Sequence, residues 1–320
     1  MFGRKSLLLI LLTGAMQLSA ADRKAVISPN ASGASFTSPI VGYFWTQTDG
    51  LVTIEGIPGA AQVGRPRDLT FTPARVALPP GQAYVWMEDT TDGLSTAVAN
   101  RELLGSDLIS FSPNAASAAL YFRSAGVVKI ATGLPDSPSL AATVALPQSG
   151  CDVGALGMAD DGATVMLGCG GNLYSAAADH VWHPVMPGNV AAMAFLPDSS
   201  DALVVMSGDS NVYGVTSGVR GQLPLGMNDP LSLAVSADGR YAVATDGAGN
   251  AASLDLPARQ SSLLKVAQGL KTVQRARDAS TFVLVSNDGG TPWIIDVQPG
   301  GALVSFAPRI PASNAGHGHN

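Results

Sequence analysis

VAAMAFLPDSSDALVV at residues 190–205 and LSLAVSADGRYAVA at residues 231–244 repeat one pattern, in which a polar turn separates two apolar runs. The turn acids Asp198 and Asp238 are 40 residues apart, and Asp278 follows after another 40. A period of about forty residues built from short β-rich runs is typical of a β-propeller, where each repeat forms one small radial sheet. The two stretches therefore predict an all-β fold made of blades.

Short turns that close β-hairpins recur along the rest of the chain at similar spacing. Asp-Gly and Gly-rich steps supply the positive φ that tight hairpins need. The turns are Asp49-Gly50, Asp92-Gly93, Ala125-Gly126, Gly170-Gly171, Asp209-Ser210, Gly247-Ala248 and Asp288-Gly289. They predict a β-propeller of seven blades, each with up to four antiparallel strands, although a blade more or less remains an alternative. The expected blades span residues 36–66, 67–107, 108–150, 151–189, 190–229, 230–270 and 271–311.

The two ends of the chain are predicted to lie outside the propeller. Residues 1–21 have the pattern of a signal peptide, with Arg4 and Lys5 before a short apolar core and a small-residue cleavage site at 19–21. The propeller then covers residues 22–311, and residues 312–320 form a disordered tail. The first blade is one strand short, and residues 24–28 are expected either to complete it or to join the last blade. The predicted location is periplasmic or extracellular.

Composition excludes some classes of function. The 320-residue chain has a formal net charge of −6, and only 13% of its residues are charged. Nucleic-acid binding needs basic patches, which an acidic chain of low charge does not offer. The apolar stretch of the leader is too short to span a membrane. We therefore expect no nucleic-acid partner, and no membrane-spanning segment after removal of the signal.

The SADGRYAVA stretch at residues 236–244 resembles the turn-and-strand element of bacterial YVTN and WD40-like propellers. That superfamily also contains the lactonase-type propellers. No predicted blade carries the Trp-Asp ending or the Gly-His opening of true WD40 repeats, and the tetrapeptide that names the YVTN repeats is also absent. The resemblance implies a propeller fold and does not select one functional branch.

Cys151 and Cys169 are the only two cysteines, and they bracket the first hairpin of the fourth predicted blade. If the turn centres on residue 160, the two residues lie directly opposite each other on adjacent strands. Cross-strand pairs come close enough for a disulfide, and export would place them in an oxidising compartment. We predict a structural disulfide; two buried thiols are the alternative.

Two groups of charged side chains are candidate ligand-binding residues. The first, the acidic rim, consists of turn acids expected on one face of the ring: Asp49, Asp92, Asp209, Asp246 and Asp288. Such a rim could hold Ca²⁺ or attract a basic partner, although Asp is also common in turns because it bonds its own backbone. The second group, Arg275 and Arg277, is two residues apart on a candidate inner strand. If both face the central channel, they could bind a carboxylate or phosphate.

No enzyme signature is present in the sequence. His180 and His183, beside Asp179, are a weak metal candidate because residues three apart on a strand point to opposite faces. We predict a binding module for an extracytoplasmic protein, peptide or polysaccharide, acting through a loop face or the central channel. A lactonase-like or other hydrolytic enzyme with a metal or carboxylate site in the channel is the first alternative. A structural envelope protein is the second.

Overall fold

The protein is a seven-bladed β-propeller in a computed structural model that describes residues 38–69, 71–89, 101–216, 218–286 and 289–309. Seven antiparallel sheets follow one another along the chain, and strands are paired in sequence order within each sheet. The predicted signal peptide, the segment 24–28 and the C-terminal tail lie outside the described residues. The sheets begin and end within the seven predicted blade ranges, so the propeller prediction is confirmed.

The described parts of the first two blades have fewer than four strands. Their strands are β1 (Ile40–Thr46), β2 (Gly50–Glu55) and β3 (Gln62–Pro66) in blade 1, and β4 (Pro73–Ala77) and β5 (Trp86–Asp89) in blade 2. A 3-10 turn at Arg101–Leu103 precedes blade 3.

Blades 3 to 7 each have four strands. The strands of blades 3 and 4 are β6 (Leu108–Phe111), β7 (Ser117–Phe122), β8 (Val127–Thr132), β9 (Ser139–Ala145), β10 (Val153–Met158), β11 (Val165–Cys169), β12 (Asn172–Ala176) and β13 (His183–Pro187). Blades 5 and 6 contain β14 (Val190–Phe195), β15 (Ala202–Met206), β16 (Asn211–Val215), β17 (Val219–Pro224), β18 (Ser232–Val235), β19 (Tyr241–Thr245), β20 (Asn250–Asp255) and β21 (Gln260–Lys265). Blade 7 contains β22 (Thr272–Arg275), β23 (Thr281–Val285), β24 (Trp293–Gln298) and β25 (Gly301–Phe306).

Burial follows the position of a strand within its blade. The second strands of blades 4 to 7 (β11, β15, β19 and β23) are buried along their whole length. They are sandwiched between neighbouring blades, and this requires apolar side chains on both faces, as in LVV at 203–205. The outermost strand β21 is largely exposed. The low charge of the chain thus reflects how many strands have two covered faces.

The hydrophobic core is divided into clusters that lie between adjacent blades. One cluster joins blades 5 and 6 through Val205, Leu233 and Leu254. Another joins blades 7 and 1 through Phe44, Val283 and Ile294. Similar clusters join blades 2 to 3, 3 to 4, 4 to 5 and 6 to 7. Burial of apolar area between blades therefore holds the ring together.

Blade 1 lacks its innermost strand among the described residues. The beginning of β1 lies beside the turn between β22 and β23 of blade 7. There the Arg277 N–H donates to Val41 O of β1 at 3.1 Å. From there β1 runs to the opposite face of the ring. On that face Arg309 donates both to the Asp49 carboxylate and to Gly289 O. In the four-stranded blades, the second strand runs in this direction. Among the described residues blade 1 is therefore one strand short, as predicted, and the strand that they do not supply is the inner one.

A glutamine side chain takes the place of that inner strand on the free edge of β1. Tyr43 N donates to Gln82 Oε1 at 2.5 Å, and Gln82 Nε2 donates to Tyr43 O at 3.1 Å. Gln82 follows the Pro79-Pro80-Gly81 turn of blade 2, is 1% exposed and has a φ of +47°. Its primary amide therefore pairs with backbone as a neighbouring peptide unit would.

The turns between first and second strands form one face of the ring, the inner-turn face. Asp160 of blade 4 links three blades there, because its carboxylate accepts from Asn114 N of blade 3 at 2.7 Å and from Asp198 N of blade 5 at 2.9 Å. Asp198 has a φ of +53°, which Asp tolerates better than most residues. Hydrogen bonds between neighbouring turns thus tie the blades on this face.

Candidate functional site

The central channel contains a cavity of about 200 Å³. Its walls come from the inner strands of blades 3 to 7 and from the loop 78–80 that follows β4. Apolar side chains dominate these walls, notably Phe111, Met158, Met193 and Phe195. Pro113 and Pro197, from the inner turns of blades 3 and 5, place one end of the cavity at the inner-turn face.

Arg275 is the charged side chain of the described channel wall. It ends β22 in blade 7 and crosses the channel to blade 3, where its Nη2 donates to Pro113 O at 2.8 Å. The same Nη2 is 3.2 Å from the position that a Cβ would occupy on Gly81, so glycine permits this close approach. Its Nε is buried without a hydrogen-bond partner. Burial lowers the pKa of Arg275, and the negative charge of Asp160 opposes that shift.

Gln274 lines the same cavity beside Arg275. Its Oε1 is also buried without a hydrogen-bond partner. Gln274 and Arg275 are consecutive in β22, so their side chains point to opposite faces of the strand, and neither unpaired atom is accessible to solvent. Buried polar groups are nearly always satisfied in folded proteins, so these two atoms are exceptions, as are the Tyr241 hydroxyl and Thr245 Oγ1 in β19.

Arg277 does not share the position that the sequence predicted for it. Strand β22 ends at Arg275, so Arg277 lies in the turn beyond it and is exposed. The alternation that would place both arginines on one side applies only within a strand. Of the predicted pair, Arg275 alone reaches the channel.

The acidic rim is only partly described. Asp49, Asp209 and Asp246 lie in corresponding turns, on the face opposite the inner-turn face. Asp92 and Asp288 lie outside the described residues. Among the described residues, no group of three or more Asp, Glu, His or Cys side chains is placed to hold a metal ion. The three described acids therefore do not form a calcium site with one another, and Ca²⁺ binding by the full rim stays a prediction.

Each described rim acid bonds within or beside its own hairpin. Asp246 Oδ1 accepts from Ala248 N at 2.8 Å and from Asn250 N at 3.1 Å, which is the usual role of Asp in a turn. Asp209 accepts from the Tyr213 hydroxyl, and this hydrogen bond lowers the pKa of Asp209 below its usual value. These carboxylates stabilise local turns and leave few oxygen lone pairs for a ligand.

Asp49 forms a bidentate ion pair with Arg309. The Nη1 and Nη2 of Arg309 donate to its two carboxylate oxygens at 2.8 and 2.6 Å. This hydrogen bonding lowers the pKa of Asp49, and desolvation opposes it. Val63 N also donates to Pro308 O at 2.9 Å, so the described C-terminal end is held against blade 1. The Asp49–Arg309 ion pair thus joins blade 1 to the segment that follows blade 7.

The predicted disulfide between Cys151 and Cys169 is present, with a Cα–Cα distance of 5.6 Å. The predicted register was wrong, because Cys169 faces Val153 across the sheet. The hairpin turn centres between residues 161 and 162 rather than on residue 160, because Met158 pairs with Val165, and Cys151 lies just before β10. The bridge therefore fastens the segment entering blade 4 to β11.

The histidine segment offers no described metal site. His183 Nε2 lies 3.3 Å from Asp179 Oδ2, and both side chains are more than half exposed. Asp179 Oδ1 also accepts from Val181 N at 3.2 Å, so the acid holds its own turn. The segment behaves as a surface loop before β13.

Sequence reasoning missed Gln274, although the repeat carried a signal for it. Counting back from the turn acids at 198, 238 and 278 aligns Gln274 with Ala194 and Ala234. The same alignment places Arg275 at the position of Phe195 and Val235. Blade 7 therefore has polar residues where its two predecessors have apolar ones.

Comparison with known proteins supports the fold and does not identify a family. No family model matches the sequence, and no curated protein matches it. Among solved structures, a putative 6-phosphogluconolactonase from Bacteroides fragilis is 12% identical with a TM-score of 0.55, over 86% of this chain and 95% of that one. The β-propeller domain of Cps50 (Swd1) from Myceliophteria thermophila is 14% identical with a TM-score of 0.49, over 62% and 69%.

Hydrazine synthase from Kuenenia stuttgartiensis is 16% identical with a TM-score of 0.49 over 63% of this chain. The match spans 65% of that chain, slightly less than two thirds of its length. At these identities the likenesses concern the fold alone. In the part of the chain that the structure describes, no helix is long and apolar enough to cross a membrane.

Proposed function

We propose that the protein is a binding module whose ligand enters the central channel at the inner-turn face. The observation that carries the proposal is the cavity itself, which is lined by the inner strands of five blades and by the loop 78–80, and to which Arg275 brings a cation that belongs to neither described ion pair. A concave, mostly apolar cavity with a few convergent polar groups is the usual form of a ligand site. The extracytoplasmic protein, peptide or polysaccharide partner predicted from the sequence remains part of the proposal.

Export also remains part of the proposal. The signal-like N-terminus and the Cys151–Cys169 disulfide support it, because structural disulfides persist mainly in oxidising compartments. N-terminal sequencing of protein recovered outside the cytoplasm tests it. A first residue near Asp22 is expected, and an intact leader on cytoplasmic protein would contradict it.

A hydrolytic enzyme is the weaker candidate for this channel. General acid–base catalysis needs a titratable side chain within hydrogen-bond reach of the reacting atoms. The described channel lining contributes Arg275 and Gln274, and it includes no carboxylate or imidazole. The convergence of several ionisable groups that a lactonase-like mechanism requires is not found among the described residues.

Methionine methyl groups report directly on the channel. All four methionines Met158, Met193, Met206 and Met227 belong to clusters between blades, and of these Met158 and Met193 also line the cavity. We expect NMR spectra of ¹³C-methyl-methionine-labelled protein to show shifts at Met158 and Met193 when a ligand class binds, with smaller changes at the other two. Peptides, oligosaccharides and small organic acids are titrated in turn. No change at the two channel methionines with any class at millimolar concentration would refute the proposal.

A further inference from the structure

We infer that the channel binds a small organic acid with one negative charge, whose carboxylate lies against Arg275 and whose apolar group lies against the other inner strands. The inference rests on the proposed function and names the chemical class of its ligand. It follows from three properties of the cavity: a layer of equivalent side chains that contains one cation, the state of that cation, and the size of the apolar space.

The first property is the composition of one layer of the channel wall. The inner strands of blades 3 to 7 (β6, β10, β14, β18 and β22) each end with a residue that lines the cavity. Four of these equivalent residues are apolar and one is charged: Phe111, Met158, Phe195, Val235 and Arg275. A ligand in this layer therefore meets one cation among apolar side chains, and this combination suits a molecule with one charged and one apolar part.

The second property is the state of the Arg275 guanidinium. Arg275 belongs to neither ion pair of the described residues, and its Nη2 donates to a neutral carbonyl, Pro113 O. Its Nε is fully buried, beyond the reach of a ligand. Its Nη1 has no hydrogen-bond partner among the described residues and is not fully buried, so a ligand in the cavity would meet Arg275 at this nitrogen. A buried charge is costly unless it is paired, and this favours an anion over a neutral or cationic ligand.

Asp160 does not take the place of that anion. Its charge acts on Arg275 through space, but Asp160 is not part of the cavity wall. Its two carboxylate oxygens already accept from Asn114 N and Asp198 N at 2.7 and 2.9 Å. The described lining contains no carboxylate of its own. The wall of the channel therefore carries a positive charge, although the chain as a whole has a net charge of −6.

The third property is the size of the cavity. An apolar cavity of about 150 Å³ holds benzene. The volume of about 200 Å³ here leaves room for one ring or branched chain together with a short acid group. Met158 and Met193 supply flexible, polarisable walls that adapt to such a group. An acid of the size of 3-phenylpropionate therefore matches the space.

The single cation also limits the charge of the ligand. A phosphate, which the sequence left as an alternative, has up to two charges and several acceptor oxygens, and it is usually met by several donors. Arg275 is the one cation of the described lining, and its Nη2 already bonds Pro113 O. One available nitrogen beside an apolar wall suits the single charge of a carboxylate.

Three ligands of one shape test the inference on the wild-type protein. They are 3-phenylpropionate, 3-phenylpropanamide and 3-phenylpropylamine, which are negative, neutral and positive, and their affinities are measured by isothermal titration calorimetry. We expect the carboxylate to bind at least about tenfold more tightly than the amide, because a hydrogen bond between two charged groups is replaced by a weaker one. The amine should bind least tightly. Equal affinities of the three ligands would overturn the inference.

Two further ligands separate the contributions of the apolar group and of the charge. Acetate should bind at least about tenfold more weakly than 3-phenylpropionate, because it buries no ring. Phenyl phosphate, with its second charge, should also bind more weakly. Equal affinities of acetate and 3-phenylpropionate, or tighter binding of phenyl phosphate, would overturn the assignment of a monoanion with an apolar group.

Arg275→Met tests whether Arg275 selects the charge. Methionine keeps an unbranched apolar side chain and removes the guanidinium, so the preference for the carboxylate over the amide should disappear. A purely structural role of Arg275 would weaken both ligands alike and leave their ratio unchanged, and that result would overturn the inference. Arg277→Met, in the exposed turn, is the matched control and should keep the wild-type ratio. Circular dichroism verifies that both variants are folded, and the comparison of ligands on the wild type needs neither variant.

The methionine spectra separate this inference from the proposed function. Shifts at Met158 and Met193 with 3-phenylpropionate, and weaker ones with its amide, support both. Shifts there with another ligand class, and none with 3-phenylpropionate, overturn the inference and leave the binding module standing. An absence of shifts with every class overturns both.

Discussion

Replacing Gln82 with methionine should destabilise the junction between blades 1 and 2. The side-chain amide of Gln82 bonds both Tyr43 N and Tyr43 O, and all of these groups are buried. Methionine fills a similar volume and bonds neither. A buried backbone group without a partner costs about 1–3 kcal/mol, so the loss of both contacts should cost about 2–5 kcal/mol.

The assay is urea unfolding followed by circular dichroism, with thermal unfolding as a second measure. We expect the urea midpoint to fall without a change in slope. At about 2 °C per kcal/mol for a domain of this size, the thermal midpoint should fall by about 4–10 °C. Gln82→Glu should lose about half as much at neutral pH, because a carboxylate accepts from Tyr43 N and cannot donate to Tyr43 O.

Two further variants make the test specific. Gln260→Met, on the exposed outer strand β21, is the matched control and should change stability by less than about 0.5 kcal/mol. Gly42→Ala places a Cβ only 2.8 Å from Gln82 Oε1, so it should disturb the same contact while leaving Gln82 unchanged. If the free energy of unfolding of Gln82→Met lies within about 0.5 kcal/mol of the wild-type value, the hydrogen bonds of Gln82 do not stabilise the edge of β1.

Four other predictions concern the disulfide, the ring closure, the inner-turn face and the acidic rim. Reduction, or Cys151→Ser with Cys169→Ser, should lower the free energy of unfolding by about 3 kcal/mol; equal urea midpoints with and without reductant would contradict this. The lowered pKa of Asp49 gives stability that is present above its unfolded pKa of about 4 and is lost as the pH falls through the lower folded value. Asp49→Asn and Arg309→Met should therefore each reduce the pH dependence of the free energy of unfolding between pH 2 and 6. An unchanged pH dependence would contradict a stabilising Asp49–Arg309 ion pair. Asp160→Ala should lower the free energy of unfolding by about 1–3 kcal/mol, because the N–H groups of two neighbouring turns lose their acceptor. The matched control is Asp136→Ala, on an exposed loop. Calcium at a hundred times its dissociation constant should add about 2.7 kcal/mol if the complete acidic rim binds it, and identical thermal midpoints in EDTA and excess Ca²⁺ would refute that prediction.

The sequence predicts the parts of the fold that depend on local rules. Turn chemistry and the 40-residue spacing of Asp198, Asp238 and Asp278 determine where blades begin and end. Fully apolar stretches such as LVV at 203–205 mark strands covered on both faces. Those features need no knowledge of distant partners, so the blade ranges and the missing strand of blade 1 could be predicted.

Contacts between residues far apart in the chain could not be predicted in this way. Arg309 lies 260 residues from Asp49, and neither residue type indicates the other. The hairpin turn after β10 centres between residues 161 and 162, so Cys151 is not directly opposite Cys169, and the run Asp160-Asp161-Gly162 does not by itself show where the turn is centred. Part of the site was predicted: Arg275 was expected at the channel, whereas the cavity beside it depends on strands and a loop from six blades, which no local pattern shows.

The position of the described chain ends has a practical consequence for engineering. Pro39 O accepts from Gly56 N and Pro308 O accepts from Val63 N, so both ends of the described chain lie against blade 1. Joining these ends by a short linker and opening the exposed turn before Gly126 would give a circular permutant in which blade 3 is assembled from the two new ends of the chain. In such a protein blade 1 becomes an internal repeat, and an affinity tag or fused domain can be attached to blade 3, away from the Asp49–Arg309 ion pair.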